Sequence, residues 1–212
     1  MITRFLPADQ RWRAVLNLLI ALPLLLVLSI LFGDHYVDVF LPLYRVVLDF
    51  ALPGFDVVQI SRSHANGESV VAATVLAMRD QIVGGHTAPA GFSIDTSTLA
   101  AHAGKHGVVM LLVPMLWPGL SFAQRLRSLA MVLLALPLIE AIDIPLVLAG
   151  AVCDLLEASL AADMVSQSWL VAWVRVMDGG GRVALPISVG VACVLLTRRI
   201  GSLKPPGKCM TR

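Results

Sequence analysis

The sequence predicts a mostly α-helical membrane protein: four transmembrane helices, with a small extracytoplasmic β-hairpin (α+β) insertion between the first and second. Three observations carry this. Of 212 residues, 58% are apolar and 14% charged, with mean hydropathy +0.83, against roughly 45–50% apolar and a quarter charged in soluble domains. Four apolar stretches approach the roughly 20 residues needed to span a bilayer. Between the first two, Asn66-Gly67 separates two alternating segments, a strong hairpin signal. A formal net charge of +2 gives no nucleic-acid footprint, and three cysteines are too few for a disulfide scaffold.

Residues 1–13 carry Arg4, Arg11 and Arg13 and read as a cytoplasmic N-terminus. Residues 14–33 read as the first span, a signal anchor, because Gly33-Asp34-His35-Tyr36 is no small-x-small cleavage site. Residues 34–98 form the extracytoplasmic insertion. Within it Val37–Leu52 reads as an amphipathic helix on the membrane surface. Its stripe is Phe40, Leu43, Tyr44, Val47 and Phe50, its i,i+4 pair Arg45 and Asp49, and Pro53-Gly54 ends it. Alternation then predicts strands over Asp56–His64 and Ser69–Arg79, a break at Gly84-Gly85, and a third strand at Gly91–Asp95, with Thr96 or Ser97 capping the next helix.

The remaining spans are predicted at 99–122, 129–152 and 182–199. A cytoplasmic loop occupies 123–128, an extracytoplasmic loop 153–181 and a cytoplasmic tail 200–212. Orientation follows from the basic residues. Arg4, Arg11, Arg13, Arg125, Arg127, Arg198, Arg199, Lys204, Lys208 and Arg212 fall on one side, ten of the 16, and Asp9 is its only acid. Both termini are therefore placed on the cytoplasmic side of the membrane. Cys153, Cys193 and Cys209 sit at different depths, so no bridge is expected.

Few groups in the spans carry chemistry. Glu140 and Asp143 are intramembrane acids, costing roughly 2.5–3.5 kcal/mol each at a helix centre on insertion scales. They read more readily as bundle-facing hydrogen-bonding groups, with Arg182 as one partner, than as an ion relay. His102 and His106, four apart on one helix face, are a weak metal-ligand pair short of further ligands. His102, His106, Cys153 and Arg182 share the outer level and form the enzymatic alternative, acyl transfer or metal-assisted chemistry at the interface. Ala151-Val152 and Asp154 around Cys153 disfavour a thiolate. Gly179-Gly180-Gly181-Arg182 permits unusual backbone or close helix approach, a phosphate loop being the minor reading. Asn66 and Gly67 at the hairpin tip, with Trp169 and Trp173 at the interface, are candidates for docking a partner. No cofactor is implied. The expected partners are membrane lipids and another integral membrane protein, with no nucleic acid.

Several short motifs add a family resemblance: Val83-Gly84-Gly85-His86, Ser97-Thr98-Leu99-Ala100-Ala101-His102, Asp143-Ile144-Pro145-Leu146-Val147-Leu148-Ala149-Gly150, and Gly179-Gly180-Gly181-Arg182. In this order the chain resembles the small integral membrane proteins that accompany exosortases in Gram-negative bacteria. Exosortases are membrane-embedded cysteine transpeptidases that process proteins bearing a C-terminal sorting helix. The resemblance implies an accessory, non-catalytic role. An exosortase has Cys, Arg and His in that order on separate spans, whereas the order here is His, Cys, Arg.

Overall fold

A computed structural model of the chain describes residues 8–65, 67–161 and 168–202. It is mostly helical, with three long apolar helices and a small antiparallel sheet. The first element, α1 (Ala8–Ala51), is one continuous helix of 44 residues, about 66 Å at 1.5 Å per residue. The expected separation into a span and a surface helix is therefore absent. Helix α1 runs through Gly33 and Asp34 without a break and ends only at Pro53-Gly54.

The hairpin forms as expected. Strand β1 (Phe55–Ala65) pairs antiparallel with β2 (Glu68–Ala77) from Phe55↔Ala77 to Ala65↔Glu68, with a register shift between Val57 and Gln59. Its turn contains Gly67 at φ +81, while Asn66 lies outside the described residues. A short second hairpin joins β3 (Gln81–Val83) to β4 (His86–Ala88). Gly84-Gly85, read as a break, is its turn. Strand β5 (Ser93–Leu99) pairs with β2 through Val75↔Ile94 and Ala73↔Thr96, giving the order β1-β2-β5. Thr96 and Ser97 are thus ladder residues, and Leu99 caps the next helix without a side-chain bond.

Val71, Ala73 and Val75 alternate inward from β2 and pack with Val57, Ile94 and the buried face of α1. Arg45 donates to the Val57 carbonyl at 2.9 Å, so it is spent on the sheet rather than on Asp49. Arg62 reaches back to Asp38 at 3.1 and 3.2 Å and to Asp34 at 3.0 Å. The sheet therefore rests on the second half of α1.

Helix α2 (Ala100–Leu116) is shorter than the predicted 99–122, at 17 residues. A turn at Trp117–Ser121 follows, six residues before the predicted loop at 123–128. Gly119 there has φ +75, and Ser121 and Gln124 make a reciprocal capping box that starts α3 (Phe122–Ile142). The predicted third span, 129–152, is two helices. Chain direction breaks at Asp143, and α4 (Ile144–Leu160) begins with Pro145 in its first turn. Much of the expected outer loop is helical too: α5 (Trp169–Val176) leads through a π-type turn at Met177–Gly181 into α6 (Arg182–Ser202). Gly180 has φ +117, which supplies the unusual backbone its glycine run suggested. Helix α5 lies so close on α4 that a Cβ at Gly150 would stand 2.5 Å from the Leu170 carbonyl oxygen.

Exposed apolar side chains run from Val15 to Phe32 on α1, Phe122 to Leu138 on α3 and Val183 to Ile200 on α6. Each run rises about 25 Å at 1.5 Å per residue, near the roughly 30 Å hydrocarbon thickness. Arg198, at the far end of α6, donates to the Pro118 carbonyl at 3.1 Å and lies over Trp117. This joins the end of α6 to the α2–α3 turn, so both arginine-rich segments occupy one end of the bundle and the sheet the other.

Candidate functional site

The dense exposed apolar stretches end at Phe32, Leu138 and Val183, and α1 continues with exposed Val39, Val46 and Phe50. Immediately beyond these ends the chain places Tyr36, Glu140, Asp143 and Arg182. Both acids thus lie near the sheet-side end of the exposed apolar stretches of α3 and α6. Both side chains are fully buried, as is His106 on α2.

Glu140 is the hub. Tyr36 donates to Oε1 at 2.6 Å and Tyr44 to Oε2 at 2.5 Å. The two hydroxyls come from the same face of α1, two turns apart, with Phe40 between them at ring-centroid distances of 4.9 and 6.2 Å. His106 Nδ1 stands 3.0 Å from Oε1. Its other nitrogen, Nε2, is 2.9 Å from Asp143 Oδ2. That second separation is short, but the N–H direction misses the oxygen, so the contact is an ion pair without a hydrogen bond. A carboxylate oxygen thus stands within 3.0 Å of each ring nitrogen. Arg182 lies on the other side of Asp143 from the ring.

Arg182 Nε is 3.6 Å from Asp143 Oδ1, and its terminal nitrogens reach Asp178 at 3.3 Å and Thr98 at 3.5 Å. Thr98 belongs to β5, so the sheet is tied into the same network. The helix break at Asp143 supplies the geometry, turning the carboxylate toward both His106 and Arg182. It also frees the Ile142 carbonyl, to which Trp173 Nε1 donates at 3.0 Å. Beyond the belt, Asp38 is held below its ordinary carboxylate range by the hydrogen bonds from Arg62.

Of the residues singled out from sequence, the fold gathers Glu140, Asp143, His106 and Arg182. It does not bring in the others. His102 is half-buried one turn along α2, with no hydrogen bond or ion pair among the described residues. Both nitrogens of His106 face acids, so none is aimed at His102 for a shared metal. Among the described residues no group of three or more His, Cys, Asp or Glu is arranged to hold a metal ion. Cys153 lies ten residues along α4 from Asp143, about 15 Å at helical rise. It packs beside the core cluster of α1 and α4, with no bond to His102, His106 or Arg182. The Cys/His/Arg arrangement therefore does not assemble.

Trp169 stays exposed, whereas Trp173 is half-buried and donates to the Ile142 carbonyl at the helix break. Gly67 is exposed at the hairpin tip. Tyr36 and Tyr44 escaped the sequence reading because Tyr44 was assigned to a membrane-surface stripe and Tyr36 to a loop. Their eight-residue spacing, two full helical turns, was the available signal.

Comparison with protein families, with curated proteins and with solved structures finds no match to this chain.

Proposed function

We propose that this chain is a non-enzymatic accessory or assembly subunit of a bacterial inner-membrane complex. Four helices cross the bilayer, α2 relying on its neighbours because of its length, with both termini cytoplasmic and the sheet outside. The observation that carries this is an uncovered apolar stripe on α1 beyond the lipid-facing belt. Val39, Val46 and Phe50 are 73, 67 and 88% exposed, and half-buried Leu43 completes an i, i+4, i+7, i+11 row. Such a row outside the membrane marks a protein contact surface. Edge strand β1 lies on the same half of α1 and offers unpaired backbone groups beside it.

The polar cluster supports the same reading. Its groups are engaged with one another, so its role is to fix α1, α2, α3, α6 and the sheet as one scaffold. The motif resemblance points to a membrane-embedded sorting transpeptidase as the partner.

Purification from the native membrane in mild detergent, with mass spectrometry of what stays bound, tests the proposal. A stoichiometric integral membrane partner is expected, lost in Val46→Glu with Phe50→Asp while the chain itself remains folded. A chain that runs alone, with no partner after crosslinking, overturns it.

A further inference from the structure

A second feature lies at the opposite end of the bundle. Between α1 and the start of α3 runs a groove of about 280 Å³, lined by Asn17, Ile20, Ala21 and Leu24 on one side and Phe122, Leu126 and Leu129 on the other. Met115 closes its floor, where the Asn17 side-chain amide donates to the Met115 carbonyl at 3.3 Å. The wall is thus apolar apart from one cation. Arg125 lines the groove half-buried, and its Nε is shielded from solvent without a hydrogen bond. Among the described residues no acid pairs with it, and Asp9 is the only acid in the sequence assigned to this end.

A guanidinium in an apolar groove open to the lipid-facing surface requires an anion with a long apolar part. A protein carboxylate could supply only the charge. We propose that this groove binds one anionic phospholipid, with an acyl chain along Ile20, Leu24 and Leu126 and the phosphate on Arg125. Arginine suits the phosphate because its planar fork donates twice to one group. Arg198, held on the Pro118 carbonyl at the same end of the bundle, adds a positive field favouring an anionic over a zwitterionic headgroup. Arg127 is itself exposed, outside the groove lining, and serves as the internal control.

Native mass spectrometry of the delipidated chain in non-ionic detergent tests this, with phosphatidylglycerol or phosphatidylethanolamine added back. One phosphatidylglycerol per chain is expected, weakened about five- to tenfold in Arg125→Gln and unchanged in Arg127→Gln. Millimolar inorganic phosphate should not displace it. Leu24→Trp, which fills the groove from α1, should abolish the adduct and reads out the site if Arg125→Gln does not fold. Equal retention of the two lipids, or equal weakening by the two arginine variants, indicates a diffuse basic collar and overturns the proposal. Displacement by inorganic phosphate assigns the site to a free anion and overturns it as well.

Discussion

The two halves of α1 share a helix and an apolar composition, yet they live in different surroundings. From Val15 to Phe32 large apolar side chains point outward on most faces, with Ala21 and Leu25 the buried exceptions. From Tyr36 to Leu52, Val37, Tyr44, Leu48 and Leu52 are buried, and two hydroxyls are fixed on Glu140. The first half is interchangeable apolar surface, because lipid is as apolar as leucine and rewards little beyond shape. The second half is specified residue by residue, because a buried carboxylate leaves no tolerance for a missing donor. Apolar content alone does not distinguish lipid-facing helix from protein core. The polar residues embedded in it do.

Substitutions sharpen this contrast. The largest effect should come from His106→Leu, which leaves Glu140 and Asp143 facing each other's field without the ring between them. A loss of about 3–5 kcal/mol is expected, as for removing one partner of a buried ion pair, seen as a large fall in thermal stability in detergent. Gly150→Val, which must push α5 off α4 at Leu170 and Val174, should cost about 1–3 kcal/mol by overpacking and raise proteolysis near α5.

The direct comparison within α1 pairs Tyr44→Phe with Leu26→Ala. The first strips one donor from Glu140 and should cost about 1–3 kcal/mol. The second, on the lipid-facing half, should stay within about 0.5 kcal/mol. Equal costs, measured by thermal unfolding in the same detergent, would erase the distinction between the halves. The smallest effect belongs to Asp38 and Arg62. Because Asp38 is held below its ordinary value by Arg62, its contribution is present above the usual aspartate pKa of about 3.9 and is lost as pH falls through the lowered one. Protection of the β1 amides, measured relative to exchange of the unfolded chain at the same pH, should therefore fall as pH drops below about 4, and Arg62→Ala should remove that step.

Much of the architecture was legible. The hairpin followed from Asn66-Gly67 and period-two alternation, and helices over most of the predicted 99–122 and 182–199 from their apolar runs, the first of them ending at Leu116 and the second reaching Ser202. Glu140, Asp143 and Arg182 stood out because charge in an apolar run demands a partner. What could not be read was the pairing. Tyr36 and Tyr44 lie 96 or more residues from Glu140, and local periodicity carries no information on contacts at that separation. The break at Asp143 did have a local signal in Pro145, which is at ease in a helix's first turn. It was outweighed by an apolar run long enough to read as one span. Continuity of α1 was missed for the converse reason: Gly33-Asp34 resembles a stop, yet Gly33 stays in the helix instead of taking the positive φ of a cap.

The turn at Trp117–Ser121 bears on how the chain enters the bilayer. It makes α2 and α3 the arms of one helical hairpin, and His106 and Glu140 face each other across it at 3.0 Å. An acid in an apolar helix is costly to insert without a partner. Arriving as a closed hairpin, Glu140 would have His106 already beside it. A substitution that separates the arms should therefore lower membrane insertion of the two segments as well as the stability of the folded chain.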